Sequence, residues 1–165
     1  MLDELQPLSL TAAARRLGID PFEVVRLLVV ADAVPKGPFA LAPELVQRLG
    51  ELGRIEPPWW EGVALPNGEG HPGLKRIRAA LGLLLSRGHT AERPTRLDNV
   101  WRGLEHTEQE LLSRALHTLA EASLLSIEVT PIGQLVCVRD EARERVQAIA
   151  EGSDIPDSLT AAVEG

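Results

Sequence analysis

From Thr107 onward the apolar positions Leu111, Leu112, Ala115, Leu116 and Leu119 recur at the three-and-four spacing of one buried helix face. Gln109, Ser113, Arg114, His117, Thr118 and Glu121 fall on the opposite face. Thr107 with Glu110 reads as a capping box, hydroxyl to backbone amide and carboxylate back to the cap amide, so the pattern predicts a helix over 108–122. The period then changes. Ser126-Ile127-Glu128-Val129 and Gln134-Leu135-Val136-Cys137-Val138 read as strands on either side of Thr130-Pro131-Ile132-Gly133, predicting a hairpin over 125–138. Upstream, Leu74, Ile77, Leu81, Leu84 and Leu85 stripe a helix over 74–86. Thr95 with Asp98 reads as the cap of a shorter helix carrying Leu97, Val100, Trp101 and Leu104. Downstream, Asp140 opens a last helix to about Ala150, with Val146 and Ile149 inward.

The amino-terminal part has its own pattern. Thr11 reads as the cap of Ala12–Leu17, Gly18 supplies a left-handed helix end, and Asp20-Pro21 opens a second helix with proline in its first turn, where a missing amide costs nothing. That second helix is apolar nearly all round: Phe22, Val24, Val25, Leu27, Leu28, Val29 and Val30 leave only Glu23 and Arg26 polar, which predicts burial on two sides, by a partner or by the second domain. Leu45, Val46, Leu49 and Leu52 give a third helix from Pro43 its inner face.

Residues 10–28, Leu-Thr-Ala-Ala-Ala-Arg-Arg-Leu-Gly-Ile-Asp-Pro-Phe-Glu-Val-Val-Arg-Leu-Leu, resemble the opening of MerR-type regulators and phage excisionases. The resemblance covers residues 8–52 and implies two short helices, a small wing at Pro35-Lys36-Gly37-Pro38-Phe39 and a following helix. Over 74–150 the order helix, helix, helix, strand, strand resembles a winged-helix domain. The fold class expected is mainly α with a small β-hairpin wing: two winged-helix-like units, 1–53 and 74–150, joined by a Pro/Gly-rich linker and followed by an acidic tail.

The linker, 54–73, holds Pro57, Pro58, Pro66 and Pro72 with Gly62, Gly68, Gly70 and Gly73, which sustain neither helix nor strand. Trp59 and Trp60 lie within it. They either pin the segment onto a domain or, as exposed aromatics, anchor a protein partner together with Arg26. The tail, 151–165, reads as mobile, with Leu159, Ala162 and Val163 as an alternative short docking segment.

Composition narrows the chemistry. At 44% hydrophobic and 25% charged over 165 residues, with no apolar run of about 20 residues and no cleavable signal pattern at Met1-Leu2-Asp3-Glu4, a cytoplasmic protein is expected, without membrane association. The single Cys137 forms no internal disulfide and, in an apolar strand, reads as a buried thiol. His71, His89, His106 and His117 are scattered without metal-ligand spacing. No phosphate loop or nucleophile motif is present, so no enzyme activity, metal or cofactor is expected.

Phosphate contacts need basic surface, and the net charge of -7 works against them. The distribution is uneven. Between 75 and 102, Lys75, Arg76, Arg78, Arg87, Arg93, Arg96 and Arg102 face only Glu92 and Asp98. This makes either a local basic face or a solvated one. Two functional expectations follow. In one, duplex DNA is bound, with Gln109, Ser113, Arg114 and His117 in the major groove and Lys75, Arg76, Arg78, Arg96 and Arg139 on the backbone. In the other, the winged-helix units are interaction scaffolds for a protein partner, or within a homodimer. The acidic balance and the hairpin tip Thr130-Pro131-Ile132-Gly133, which carries no base, count toward the second, but the expectation preferred is the first, a DNA-binding transcriptional regulator or architectural factor, with the interaction subunit as the alternative.

Overall fold

Ser9 opens the first helix, two residues before the expected Thr11: its hydroxyl accepts the Ala12 amide at 3.1 Å, starting α1 (Leu10–Leu17). Gly18, at φ 69°, closes it, its amide bonding the Ala14 and Arg15 carbonyls. The Asp20 carboxylate accepts the Phe22 amide at 2.8 Å and starts α2 (Pro21–Val30). The next helix, α3, runs Pro43–Leu52. In this computed structural model, which describes residues 6–165, the three helices enclose Ala13, Ala14, Val24, Leu27, Leu28, Leu41, Val46 and Leu49.

Among the described residues, helix α2 is buried along one stripe, through Val24, Leu27 and Leu28; Phe22 is 84% exposed and Val29 63%. No wing forms at Pro35–Phe39. Two prolines deprive that stretch of amide donors, and the pairing falls instead on an isolated antiparallel bridge, where Leu8 and Leu41 exchange backbone bonds of 2.7 and 2.8 Å.

The chain divides into two compact units, one up to Glu56 with Val129–Gly133, the other Pro57–Glu128 with Gln134–Gly165. The second contains α4 (Pro72–Ser86), β1 (Thr95–Arg96), a 3-10 turn at Leu97–Val100 and α5 (His106–Glu121). It continues through β2 (Leu125–Thr130) and β3 (Gly133–Val138), whose hairpin tip Val129–Gly133 is counted with the first unit, then a 3-10 turn at Asp140–Ala142, α6 (Arg143–Glu151) and α7 (Asp157–Glu164). The molecule is thus mainly α, with a small antiparallel sheet in the order β1-β3-β2.

Thr95 and Arg96 give the 3-10 turn no side-chain cap bond. They pair antiparallel with β3, Thr95 opposite Val136 and Arg96 opposite Leu135, and the Thr95 hydroxyl accepts from Asn99 Nδ2 at 3.0 Å. Helix α5 starts at His106 without a side-chain cap, so the Thr107–Glu110 capping box is not formed. Gln109 Nε2 instead donates to the Leu104 carbonyl at 2.7 Å, and Glu110 lies 3.1 Å from His106 Nε2.

One core joins these elements. Ile77, Leu81 and Leu84 of α4 meet Leu112, Leu116 and Leu119 of α5, Val136 and Val138 of β3, and Val146 and Ile149 of α6, with Trp101 packed against the cluster. Two segments take the docked one of their two expected readings. Trp59, in the expected linker, is 2% exposed, and Leu159, in the expected tail, is fully buried on α7. Among the described residues, no helix is long and apolar enough to cross a membrane.

Candidate nucleic-acid interface and partner surface

On α5 the 3.6-residue period turns His106, Glu110, Arg114, His117 and Glu121 outward, with Ser113 at the edge of the buried stripe. His117 Nδ1 donates to the Ser113 carbonyl at 2.7 Å, which leaves Nε2 outward. The Arg114 guanidinium makes no ion pair among the described residues and is exposed. Gln109 is half-buried, its amide held by Leu104. Three of the four expected base-reading side chains therefore sit together on one outward strip. Glu110 and Glu121 share that face, so its formal charge is not basic.

Most of the expected phosphate contacts are engaged within the molecule. Arg76 donates to Glu108 Oε1 from Nη2 at 2.7 Å and from Nε at 3.1 Å, and lies 4.6 Å above the Trp60 ring. Lys75 Nζ donates to the Gly68 carbonyl, and Arg78 Nε to that of Ala150 at 3.2 Å. Arg96 is only 4% exposed, with Nε 2.8 Å from Asp98 Oδ1. Asp98 also receives Arg102 at 3.1 Å. Arg139 is exposed but pairs with Glu141 at 2.8 Å. The Glu141 carboxyl is held below its usual range by its own backbone amide and then by Arg139.

The segment Lys75–Arg102 is thus no continuous cationic strip. Local periodicity could show how many arginines it holds but not the carboxylates they meet, because Glu108 is distant in sequence from Arg76. Arg96 and Asp98 are close in sequence, yet only the β1–β3 pairing buries the arginine.

The expected partner anchors also resolve. Trp59 is no exposed anchor: His89 stacks on it with ring centroids 5.5 Å apart, and the Arg87 guanidinium sits 4.6 Å from its ring centroid. Trp60 is half-buried, its Nε1 donating to the Val100 carbonyl at 2.9 Å. Arg26 is exposed on α2, paired with Glu23 at 3.2 Å. Around it lie Phe22 and Val29 on the same strip, with Val30 at its edge.

Cys137 is buried in β3. Burial first and Asp140 second push its thiol upward from the ordinary range. Among the described residues, no three His, Cys, Asp or Glu side chains gather in a way that would hold a metal ion. Compared with known proteins, the chain matches no family model, no curated protein and no solved structure.

Proposed function

We propose that the chain is a non-catalytic protein-interaction subunit with a helix-turn-helix unit and a winged-helix unit, acting within a larger nucleoprotein assembly. The observation that carries this reading is the outward strip of α2, Phe22, Arg26 and Val29, with Phe22 84% exposed and Arg26 closed onto Glu23. In a helix-turn-helix this helix would present its outer face to DNA. Here that face is apolar and offers phosphate no unpaired cation, the composition of a surface covered by protein. In the second unit, three helical segments followed by a hairpin, with short β1 added beside β3, support the winged-helix reading. The ion pairs of Arg76, Arg96 and Arg102 support a scaffold over a DNA face.

A second reading, duplex binding through α5, is favoured by one observation: Arg114 is exposed, without an ion pair among the described residues, between Ser113 and His117. One pair of experiments separates the two. A photo-crosslinking amino acid at position 22, introduced in cells, should give a discrete protein adduct that the same group at exposed Glu51 does not give. Purified protein should show no salt-sensitive affinity for duplex DNA at low ionic strength. Duplex binding that Arg114→Ala weakens by about 1–3 kcal/mol for one preferred site, with no adduct at 22, would put the DNA reading first.

A further inference from the structure

Within the second unit an open pocket of about 300 Å³ is lined by Leu65, by His71, Pro72, Gly73 and Arg76 of the α4 start, by Thr107, Glu108, Leu111 and Arg114 of α5, and by Val163 of α7. We propose that it binds a small free monocarboxylic acid with a compact apolar body. Its volume lies at the lower end of small-ligand sites.

The lining separates by chemistry. Leu65, Leu111 and Val163 supply an apolar floor, and Gly73 lets two of them close over the backbone. A Cβ at position 73 would stand 2.8 Å from Leu111 Cδ2 and 3.2 Å from Val163 Cγ1. On the polar side, Arg76 and Glu108 satisfy one another through bonds of 2.7 and 3.1 Å. Among the described residues Arg114 remains as the lining cation without an ion pair, and its planar guanidinium suits a carboxylate. The charges of Arg76, Glu108 and Arg114 therefore sum to one positive, and His71 Nδ1 accepts the Gly73 amide at 3.0 Å. One negative charge balances it. A phosphate dianion would meet Glu108 without a second unpaired cation, and a cationic ligand would meet Arg114. The first turns of α4 and α5 both contribute to the lining and add partial positive charge on the same side.

The test is an amide-detected NMR titration of the full chain with 4-methylpentanoate and phenylacetate as probes. Both acids should shift the amides of Gly73, Leu111 and Val163 in a saturable way in the millimolar range. Arg114→Gln, at an exposed position, should weaken binding about tenfold, as expected for loss of one charge-assisted hydrogen bond, and 4-methylpentanamide should bind the wild-type protein similarly weakly. Absence of saturation by both acids, an amide that binds as well as its acid, or an Arg114→Gln variant with unchanged affinity would each overturn the proposal. An acetylated tripeptide ending in leucine serves as the other source of the same chemistry. Should it bind more tightly than the free acids, the ligand is a chain terminus and not a small molecule.

Discussion

The Trp59 indole lies flat against the His89 imidazole, 5° from parallel, with ring centroids 5.5 Å apart. His89 is itself fixed from two sides: its Nδ1 meets the Arg93 carbonyl at 3.0 Å, and its carbonyl accepts the Val138 amide at 2.9 Å. The contact therefore ties the segment after Pro57-Pro58 to the α4–β1 connection and to β3. Trp59→Ala should destabilise the second unit by about 3–5 kcal/mol. Phe22→Ala, removing the other kind of aromatic in the chain, should stay within about 0.5 kcal/mol because its ring is exposed. Chemical denaturation of the two variants beside the wild type measures the difference, and equal losses would show that Trp59 is not a core residue.

Asp98 receives both Arg96, which is buried, and Arg102. Asp98→Asn keeps the shape but removes the carboxylate charge that the buried Arg96 guanidinium faces. The expected cost is about 1–3 kcal/mol, less than for a fully enclosed pair because the carboxylate is partly exposed. By contrast, Glu141→Gln, in an exposed pair with Arg139, should change stability by less than about 1 kcal/mol. If Asp98→Asn unfolds at the wild-type denaturant midpoint, Arg96 is not held by this pair.

The last helix is the clearest departure from a mobile tail. Leu159 is fully buried, so Leu159→Ala should cost about 2–5 kcal/mol. Limited proteolysis should cut first in the exposed stretch Asn67–Gly70 and spare 157–164 until the unit unfolds. Early cleavage within α7 would contradict its docking.

Cys137 should be slow to alkylate in the folded protein. The thiolate is the reactive form, and a thiol pushed upward by burial and by Asp140 holds less of it at any given pH near neutrality, so reactivity rises later on the alkaline side than for an ordinary cysteine. Iodoacetamide labelling followed by mass spectrometry should run at least about tenfold faster in denaturant than in buffer. Similar rates in both conditions would place the sulfur at the surface.

What was legible in the chain was what repeats locally. The Leu112–Leu119 stripe and the change to alternation around Thr130-Pro131 carry α5 and its hairpin within a few residues of their observed bounds, since each depends on near neighbours only. Strand β1 is two residues long and has no period of its own; β3 creates it. Helix α7 offers one turn of pattern and is held by a core built mostly from distant elements. The outward face of α2 is a related case. An all-round apolar helix signals burial on two sides, Val24, Leu27 and Leu28 are its buried positions among the described residues, and no local rule says which side the chain itself covers. Of the expected site, the α5 strip was readable from periodicity, whereas the pairing of Arg76 with Glu108 depended on how α4 and α5 pack.

Because Thr95 lies opposite Val136, the short first strand finds its place only after all of α5 and the hairpin have been threaded between them. Bringing those two residues together closes a long loop, an entropic charge that nothing in a two-residue strand offsets by itself. The expected order of assembly is helix and hairpin first and the Thr95–Arg96 edge last, with the buried arginine docking alongside it. Mutations at this edge should then accelerate unfolding while leaving the refolding rate nearly untouched, a kinetic asymmetry that stopped-flow measurements on Thr95→Ala would expose.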